Sequence, residues 1–429
     1  MKILISTYAC APQHGSEHAV GWNWTTEACR QGHQVWALAS TVHRDAIAAA
    51  CRGDPALRGI TWLFPEVPGW RLRRGVEPHW ERTYNLLWQM VALRAARDLA
   101  RRADFDIVHH LTWGGVRAPT FMGRLGIPLV IGPIGGGEST PPTLRRGLHL
   151  KARLTEYIRE LSNRTIAVNP IVREGLMRAR LIFVRTTDTA RLLTPAMQAK
   201  SICFAEISLP ASAIGTPRAG AAAAPRLLFV GRLIYWKGAH IAIRTLAELR
   251  QLVPHATLTV VGKGPELEKL QAEAARLGVA DAITFRPWLA REQLASVYDA
   301  HDMFLFPSLH DSSGTVVLEA LSRGLPVVCG DSGGPRVMVT PQCGIVVSSA
   351  GRNTVQFARA MAEAIAELSH DAARSAALSD GAIARAGQFI LGDRVASFYG
   401  QVAKTLRPTT GTVKPPPIIR RNGFVPARP

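Results

Sequence analysis

Between Pro307 and Val328 the chain reads PSLHDSSGTVVLEALSRGLPVV. The run after Gly314 has the pattern of a helix, so the Thr315 and Val316 amides lie in its first turn. Unpaired N–H groups there suit phosphate oxygens. Glu319 lies more than one turn in, where a carboxylate accepting two hydroxyl hydrogen bonds suits a ribose diol. Asp311 precedes the helix, a place from which a carboxylate can hold sugar hydroxyls. Upstream, RLLFVG leads into GRLIYWKG. Arg232 and Lys237 flank a short loop that opens another helix, and two cations beside a helix start suit a diphosphate. VVGKGP sets Gly262 and Gly264 in a turn at a strand's C-terminal end, where α/β proteins place ligands. Taken singly, these are surface cations, a turn and a capped helix. Their order is too particular for that plain reading.

The first half holds fainter signals. APQHGSEHAVGWNW follows the first apolar run. Gly15 and Ser16 stand there between strand and helix, where backbone can approach a phosphate or sugar. Glu17 complements the helix start electrostatically. FDIVHHLTW ends a strand at His109 and His110, and a strand's C-terminal end faces a ligand crevice. IGPIGGGE, Ile131 to Glu138, carries three glycines and an acid after a strand. Gly136 allows close ligand approach, and the Glu138 carboxylate suits hydroxyl groups.

These residues need elements to hold them. Short apolar runs alternate with amphipathic stretches, the signature of α/β units around parallel sheets. Strands are expected at Lys2–Thr7, Gln34–Ala39, Ile107–His110, Leu129–Ile131 and Leu181–Val184, with helices at Ala19–Gln31 and Tyr84–Arg102. The opening MKILISTYACAP reads as a buried first strand rather than a leader. PASAIGTPRAGAAAAP, Pro210 to Pro225, lacks apolar periodicity and serves as a linker. Strand–helix alternation then resumes, with strands expected at RLLFVG, ATLTVVG, AITFRPW, DMFLFPS and LPVVCG. Expected boundaries are 1–209 for a first α/β domain and 226–390 for a second. Residues 391–406 form a terminal helix expected to pack back on the first domain. Residues 407–429 are basic, Pro-rich and expected to lack fixed structure.

Bulk composition narrows the choice. The chain has 429 residues, 47% hydrophobic and 19% charged, which excludes wholesale disorder. No stretch reads as a membrane-spanning helix. The six cysteines are scattered without a C-x-x-C pair and read as reduced thiols of a cytosolic protein. No His/Cys/Asp cluster has metal-ligand spacing. The net charge is +19, so an anionic partner is expected. Residues 1–200 hold 27 Lys and Arg against 15 Asp and Glu, an excess of 12 that makes the first half the more basic. Trp70–Arg102 and Arg145–Arg191 are basic, aromatic-bearing stretches suited to an anionic membrane surface. Nucleic acid is the poorer match, because no zinc spacing, helix-turn-helix or RNP-like string occurs.

GRLxxxKG, the GxGP turn and acid-x-x-G-x-x-x-x-E-A-x-x-x-G-x-P-V-V, in this order, resemble the family 4 retaining glycosyltransferases of GT-B fold, of bacterial polysaccharide and glycolipid type. The match is most specific over Phe229 to Val347, and Gly333–Gly334 also fits. The resemblance implies an α/β chain of two Rossmann-like domains facing across a cleft, the first binding the acceptor, with Gly136 and Glu138 as acceptor-binding residues, and the second binding the nucleotide sugar. It implies a nucleotide-sugar donor, with no cofactor and no metal. Arg232 and Lys237 would then hold the diphosphate, helped by Gly264 and by Gly314, Thr315 and Val316. Glu319 would hold the ribose, Asp311 the transferred sugar, and Gly15 would face the donor. The family's D-x-x-H-x-H places its second His where this chain has Leu111, so His110 is taken as the catalytic histidine with Asp311. Two departures stand out. The first acid is Asp311 where Glu is usual, and acid-Gly-Phe-Gly is here DSSG. The expected reaction is sugar transfer to a membrane-associated glycolipid, a polyprenyl-diphosphate-linked sugar or another glycan, by a peripheral protein on the cytoplasmic face of the membrane. A GT-B epimerase or phosphorylase is the alternative.

Overall fold

The computed structural model describes residues 1–69, 81–218, 220 and 224–406. The first sheet comprises β1 (Lys2–Ser6), β2 (Gln34–Leu38), β3 (Ile60–Leu63), β4 (Ile107–His110), β5 (Leu129–Ile134), β6 (Ala179–Val184) and β7 (Ser201–Cys203). The second comprises β8 (Arg226–Val230), β9 (Thr257–Val261), β10 (Ile283–Arg286), β11 (Met303–Phe306), β12 (Val327–Gly330) and β13 (Gly344–Val347). Strand orders are β3-β2-β1-β4-β5-β6-β7 and β10-β9-β8-β11-β12-β13. Every pairing is parallel. In each sheet the strand order reverses beside the first strand of the series, a topological switch at which ligands collect along the C-terminal edge.

The continuous apolar runs are explained by burial on both faces. Along the first sheet, Leu4, Val108, Ile131 and Val184 pack against Tyr84, Trp88 and Ala92 of helix Glu81–Ala100. Ile3, Ile5, Ile107 and Phe183 face the other way, onto Trp24 of helix Ser16–Arg30 and Phe398 of helix Leu391–Leu406. The Phe398 ring lies 4.1 Å from that of Phe183 and 5.0 Å from that of Trp24. The last helix of the described chain is thus a core element of the first half. Conversely, Leu144, Leu148 and Ala152 join the hydrophobic cluster of the second half, together with Ala205, Ile207 and Leu209.

Several expectations change. β3, β7 and β13 are too short or too weakly patterned to have been read. Helices Arg44–Gly53, Leu150–Arg164 and Pro170–Arg178 also escaped notice. Trp88 is wholly buried, with its indole N–H donated to Pro65 O at 3.1 Å, and Tyr84 is buried too. These aromatics of the Trp70–Arg102 stretch are therefore core, not membrane-facing. Trp70–Trp80 and the tail 407–429 lie outside the described residues, as does the Arg82 side chain. Cys10, Cys329 and Cys343 are buried free thiols, Cys29 and Cys51 are half-buried, and Cys203 is exposed.

Candidate functional site

The predicted phosphate machinery assembles along the C-terminal edge of the second sheet. After β8 the chain turns through Gly231 and Arg232, then a short 3-10 turn over Tyr235–Lys237, into helix Ala239–Leu252. Gly238 caps that helix with φ +80°, and a Cβ there would sit 2.1 Å from Pro307 O. After β9, a Cβ on Gly262 would meet Gly231 O at 1.9 Å and one on Gly264 would meet Leu233 O at 2.3 Å. The glycines let neighbouring loops touch backbone to backbone. Gly264 thus serves the Arg232 loop from behind, a packing role that sequence alone assigned to donor contact.

After β11, Gly314 takes φ +68° and caps helix Thr315–Ser322. Thr315 is exposed at its start and Val316 is half-buried. Gly334 N donates to Asp311 O at 2.6 Å, which ties the loop after β12 to the same place. Four strand-end loops therefore converge on one edge. Arg232 is exposed there and makes no ion pair among the described residues. Lys237 pairs with the Asp311 carboxylate, and both are largely buried. The Tyr298 hydroxyl donates to Glu319 at 3.1 Å. The arrangement joins helix-start amides, a free guanidinium and an ammonium held by a carboxylate. It can neutralise a dianion without moving the backbone.

The first-half residues fall differently. Gly15 precedes helix Ser16–Arg30 with φ −92°, and a Cβ there would meet nothing within 4 Å. That leaves open space beside it, but no conformational demand for glycine. Gly136 has φ +90° and donates its N–H to Ser312 Oγ at 2.9 Å. Glu138 is fully buried. Its carboxylate accepts from Thr186 (2.5 Å), Thr189 (3.0 Å), Gly136 N (3.1 Å) and Ser312. Burial pushes the Glu138 carboxyl up, but the bonds from Ser312, Thr186 and Thr189 prevail and hold it below the ordinary value. A carboxylate so saturated is not available to an acceptor hydroxyl in this conformation. It clasps the second domain to the first.

Neither histidine reaches the open edge. His109 Nδ1 lies 2.9 Å from the Tyr399 hydroxyl and Nε2 lies 2.7 Å from Gly132 O, so it bridges the sheet to the last helix. His110 points to the opposite face and is buried, with Nδ1 3.4 Å from Ser6 Oγ. Its Nε2 has no hydrogen-bond partner among the described residues. It borders a void of about 10 Å³ lined by residues such as Trp113, Thr120, Val172 and Leu176, all of the first half. Burial lowers His110 to about 3 and His109 to about 4. The choice of His110 as catalytic is corrected accordingly: it is a neutral core histidine here.

The residues that join the halves were not legible. Glu156, on helix Leu150–Arg164, is buried and accepts from the Tyr235 hydroxyl and His310 Nε2, each at 2.8 Å, and from Thr140 N at 3.2 Å. Burial raises its carboxyl, but the His310, Thr140 and Tyr235 contacts outweigh burial and bring it down to about 2. Glu206 accepts from Ser313 and forms an ion pair with Arg185, whose Nε lies 3.1 Å away. Burial pushes Glu206 up, against the pull of Arg185. The one signal for this seam was the DSSG departure: Ser312 and Ser313 each reach a carboxylate of the first half.

A cavity of about 470 Å³ lies elsewhere, lined by Arg218, Arg226, Asp299, Asp302 and Arg323 among others. Arg226 begins β8, while Asp302 and Pro326 directly precede β11 and β12. It therefore opens at the N-terminal edge, away from where parallel sheets bind ligands. Among the described residues no group of three or more His, Cys, Asp or Glu is placed to hold a metal ion.

Two parallel α/β domains whose strand-end loops meet at one seam define the GT-B fold class. Comparison with solved structures agrees. The Anabaena protein Alr3699/HepE, crystallised with UDP, superposes with a TM-score of 0.59 over 94% of this chain and 100% of that one, at 16% identity. WaaG, a glycosyltransferase involved in lipopolysaccharide biosynthesis, gives 0.56 over 95% and 100%, at 17% identity. Residues 221–384 match the family model Glycosyl transferases group 1, so the second half of the chain carries a domain of that family.

Curated relatives match over parts of their length. The GDP-mannose-dependent alpha-(1-6)-phosphatidylinositol monomannoside mannosyltransferase of Mycolicibacterium smegmatis is 35% identical over 162 residues, 36% of this chain and 41% of that protein. The D-inositol 3-phosphate glycosyltransferase of Segniliparus rotundus is 41% identical over 126 residues, 28% of each. The 2-deoxystreptamine glucosyltransferase of Streptomyces kanamyceticus is 27% identical over 270 residues, 58% of this chain and 66% of that protein. The chain thus spans less than half the length of the first two relatives.

Proposed function

We propose that the protein is a retaining glycosyltransferase. It moves a sugar from a nucleotide-sugar donor to a membrane-associated glycolipid or polyprenyl-diphosphate-linked acceptor in polysaccharide or glycolipid assembly. The observation that carries this is the convergence of Arg232, Lys237 and the Thr315 helix start on one strand-end edge, facing the first domain. Charge develops on the leaving diphosphate as the glycosidic bond breaks, and fixed cations and amides at that place stabilise it. Attack comes from the same face as departure, with the leaving diphosphate taking the acceptor proton. Glu319 holds the ribose. Asp311, released from Lys237 when the diphosphate arrives, holds the sugar. The acceptor reading draws support from the M. smegmatis relative, whose name records a phosphatidylinositol mannoside, and from the basic first half. Among the described residues no helix is long and apolar enough to cross a membrane, so the protein would act as a peripheral one, on the cytoplasmic face.

A thermal-shift panel of nucleotide sugars tests the donor, because ligand bound only by the native state raises its midpoint. One nucleotide series should stand out. Release of nucleoside diphosphate should then depend on added acceptor lipid. A flat response to every nucleotide sugar, or sugar-nucleotide turnover without any acceptor, would falsify the assignment; the second result would favour an epimerase.

A further inference from the structure

Helix Leu150–Arg164 has two faces of opposite character. Leu150, Leu154, Tyr157, Ile158 and Leu161 are 79, 61, 66, 54 and 55% exposed. At 3.6 residues per turn they share an arc roughly 100° wide. Diametrically across lie the buried Ala152, Glu156 and Asn163. Lys151 borders one side of the apolar arc, with Arg153 and Arg164 on the other, and all three are exposed. Five large apolar side chains in one solvent-facing stripe are not explained by folding, which the inner face already satisfies. An apolar stripe edged by cations is the pattern of a helix lying in a lipid headgroup layer.

We propose that helix Leu150–Arg164 is the docking surface for an anionic bilayer, with its outer stripe set among the headgroups and its edge cations on lipid phosphates. The proposal rests on the reading of a membrane-linked acceptor and names where the protein meets that membrane. Charge complementarity favours lipid over a second copy of this chain, since a twofold contact would bring one set of edge cations against another. The inner face ties the docked helix to the site. Arg159 donates to Glu138 O at 2.7 Å, Asn163 Nδ2 donates to Gly137 O at 3.0 Å, and Glu156 holds Tyr235 and His310. Docking therefore lays the Gly-rich loop and the interdomain seam beside the bilayer, where a lipid-linked acceptor arrives.

The test is co-sedimentation with phosphatidylcholine vesicles, with and without phosphatidylglycerol, on the full chain. The wild type should bind the anionic vesicles, and Leu150→Ser/Leu154→Ser/Ile158→Ser should bind at least ~10-fold more weakly with its thermal midpoint unchanged. Lys151→Glu/Arg153→Glu supplies a second variant if the first misfolds; it should lose the preference for phosphatidylglycerol. Wild-type-like binding by both variants overturns the proposal. So does a wild type that ignores vesicles, whether it elutes as a monomer or as a dimer that the triple variant breaks. The nucleotide-sugar thermal shift, run on the same samples, separates the two claims. Vesicle binding without any donor response sinks the transferase reading alone, and a donor response without vesicle binding sinks the docking helix alone.

Discussion

Arg232 and Thr315, in the second domain, are exposed on an edge kept tight from behind by Gly238, Gly262 and Gly264. Glu138, Glu156 and Glu206, in the first domain, are buried, and each accepts from the other half: Glu138 from Ser312, Glu156 from Tyr235 and His310, Glu206 from Ser313. The two sheets share a parallel topology, and their strand-end loops face the same seam. One side leaves polar groups exposed, while the other uses its acids to hold the partner domain. A polar residue at a strand end is thus not evidence of a ligand contact until its own hydrogen bonds have been counted.

The comparison breaks most readily at the second-domain edge. Arg232→Ala and Lys237→Ala are each expected to lower turnover about 100-fold or more, the scale for losing one charge-stabilising group. Nucleotide release at saturating donor measures it, and near-normal turnover in both would remove the site from that edge. Gly264→Ala should cost about 1–3 kcal/mol by forcing a methyl against Leu233 O. It should also blunt the thermal response to donor, because the Arg232 loop is displaced. Chemical denaturation with and without nucleotide sugar reads both.

On the first-domain side, Glu156→Ala leaves the His310 and Tyr235 donors buried without an acceptor and should cost about 1–3 kcal/mol of stability. An unchanged denaturation midpoint would argue that the seam opens freely in solution.

Acid probes the same seam and the histidine core. His109 and His110 are held at about 4 and about 3, below the ordinary 6.5, so the unfolded chain takes up their protons first. Their stabilisation is whole above about pH 6.5 and is lost as pH falls towards 4 and 3, at most about 1.4 kcal/mol per pH unit for each group. Glu156 adds a loss between 4.5 and about 2. Melting temperature against pH should fall from near 6.5, and His110→Leu should flatten that limb. An unchanged limb in the variant would mean that His110 is not held neutral. Smallest of all, Ser313→Gly should cost about 1 kcal/mol, one interdomain hydrogen bond, and Ser312→Gly somewhat more, because its hydroxyl both donates to Glu138 and accepts from Gly136 N. Additive losses in the double variant would mark the two serines as independent, whereas coupling would mark a single clasp.

Local pattern made the second domain legible. β8, β9, β11 and β12 were placed to within a residue or two, because each is a short apolar run stopped by Gly or Pro-Ser. Arg232, Lys237 and Thr315 were legible because helix starts and adjacent cations carry their chemistry within a few residues of chain. His110 and Glu138 misled for the same reason in reverse. Their neighbours along the chain suggested a cleft, while the neighbours that matter lie far off in sequence: the void beside Val172 and Leu176 for one, Thr186 and Ser312 for the other.

The residue order alone was enough to settle an α/β chain of two parallel-sheet halves, and to set Arg232, Lys237 and Thr315 at strand ends of the second. Those features follow from apolar periodicity, glycine stops and helix starts, all local properties. Folding in three dimensions decided which acids are held across the seam, which histidine is buried without a role at the edge, and which basic helix turns its apolar side outward. The reason is physical: a side chain's burial and hydrogen-bond partners are set by segments brought together from across the chain, and no window of sequence contains them.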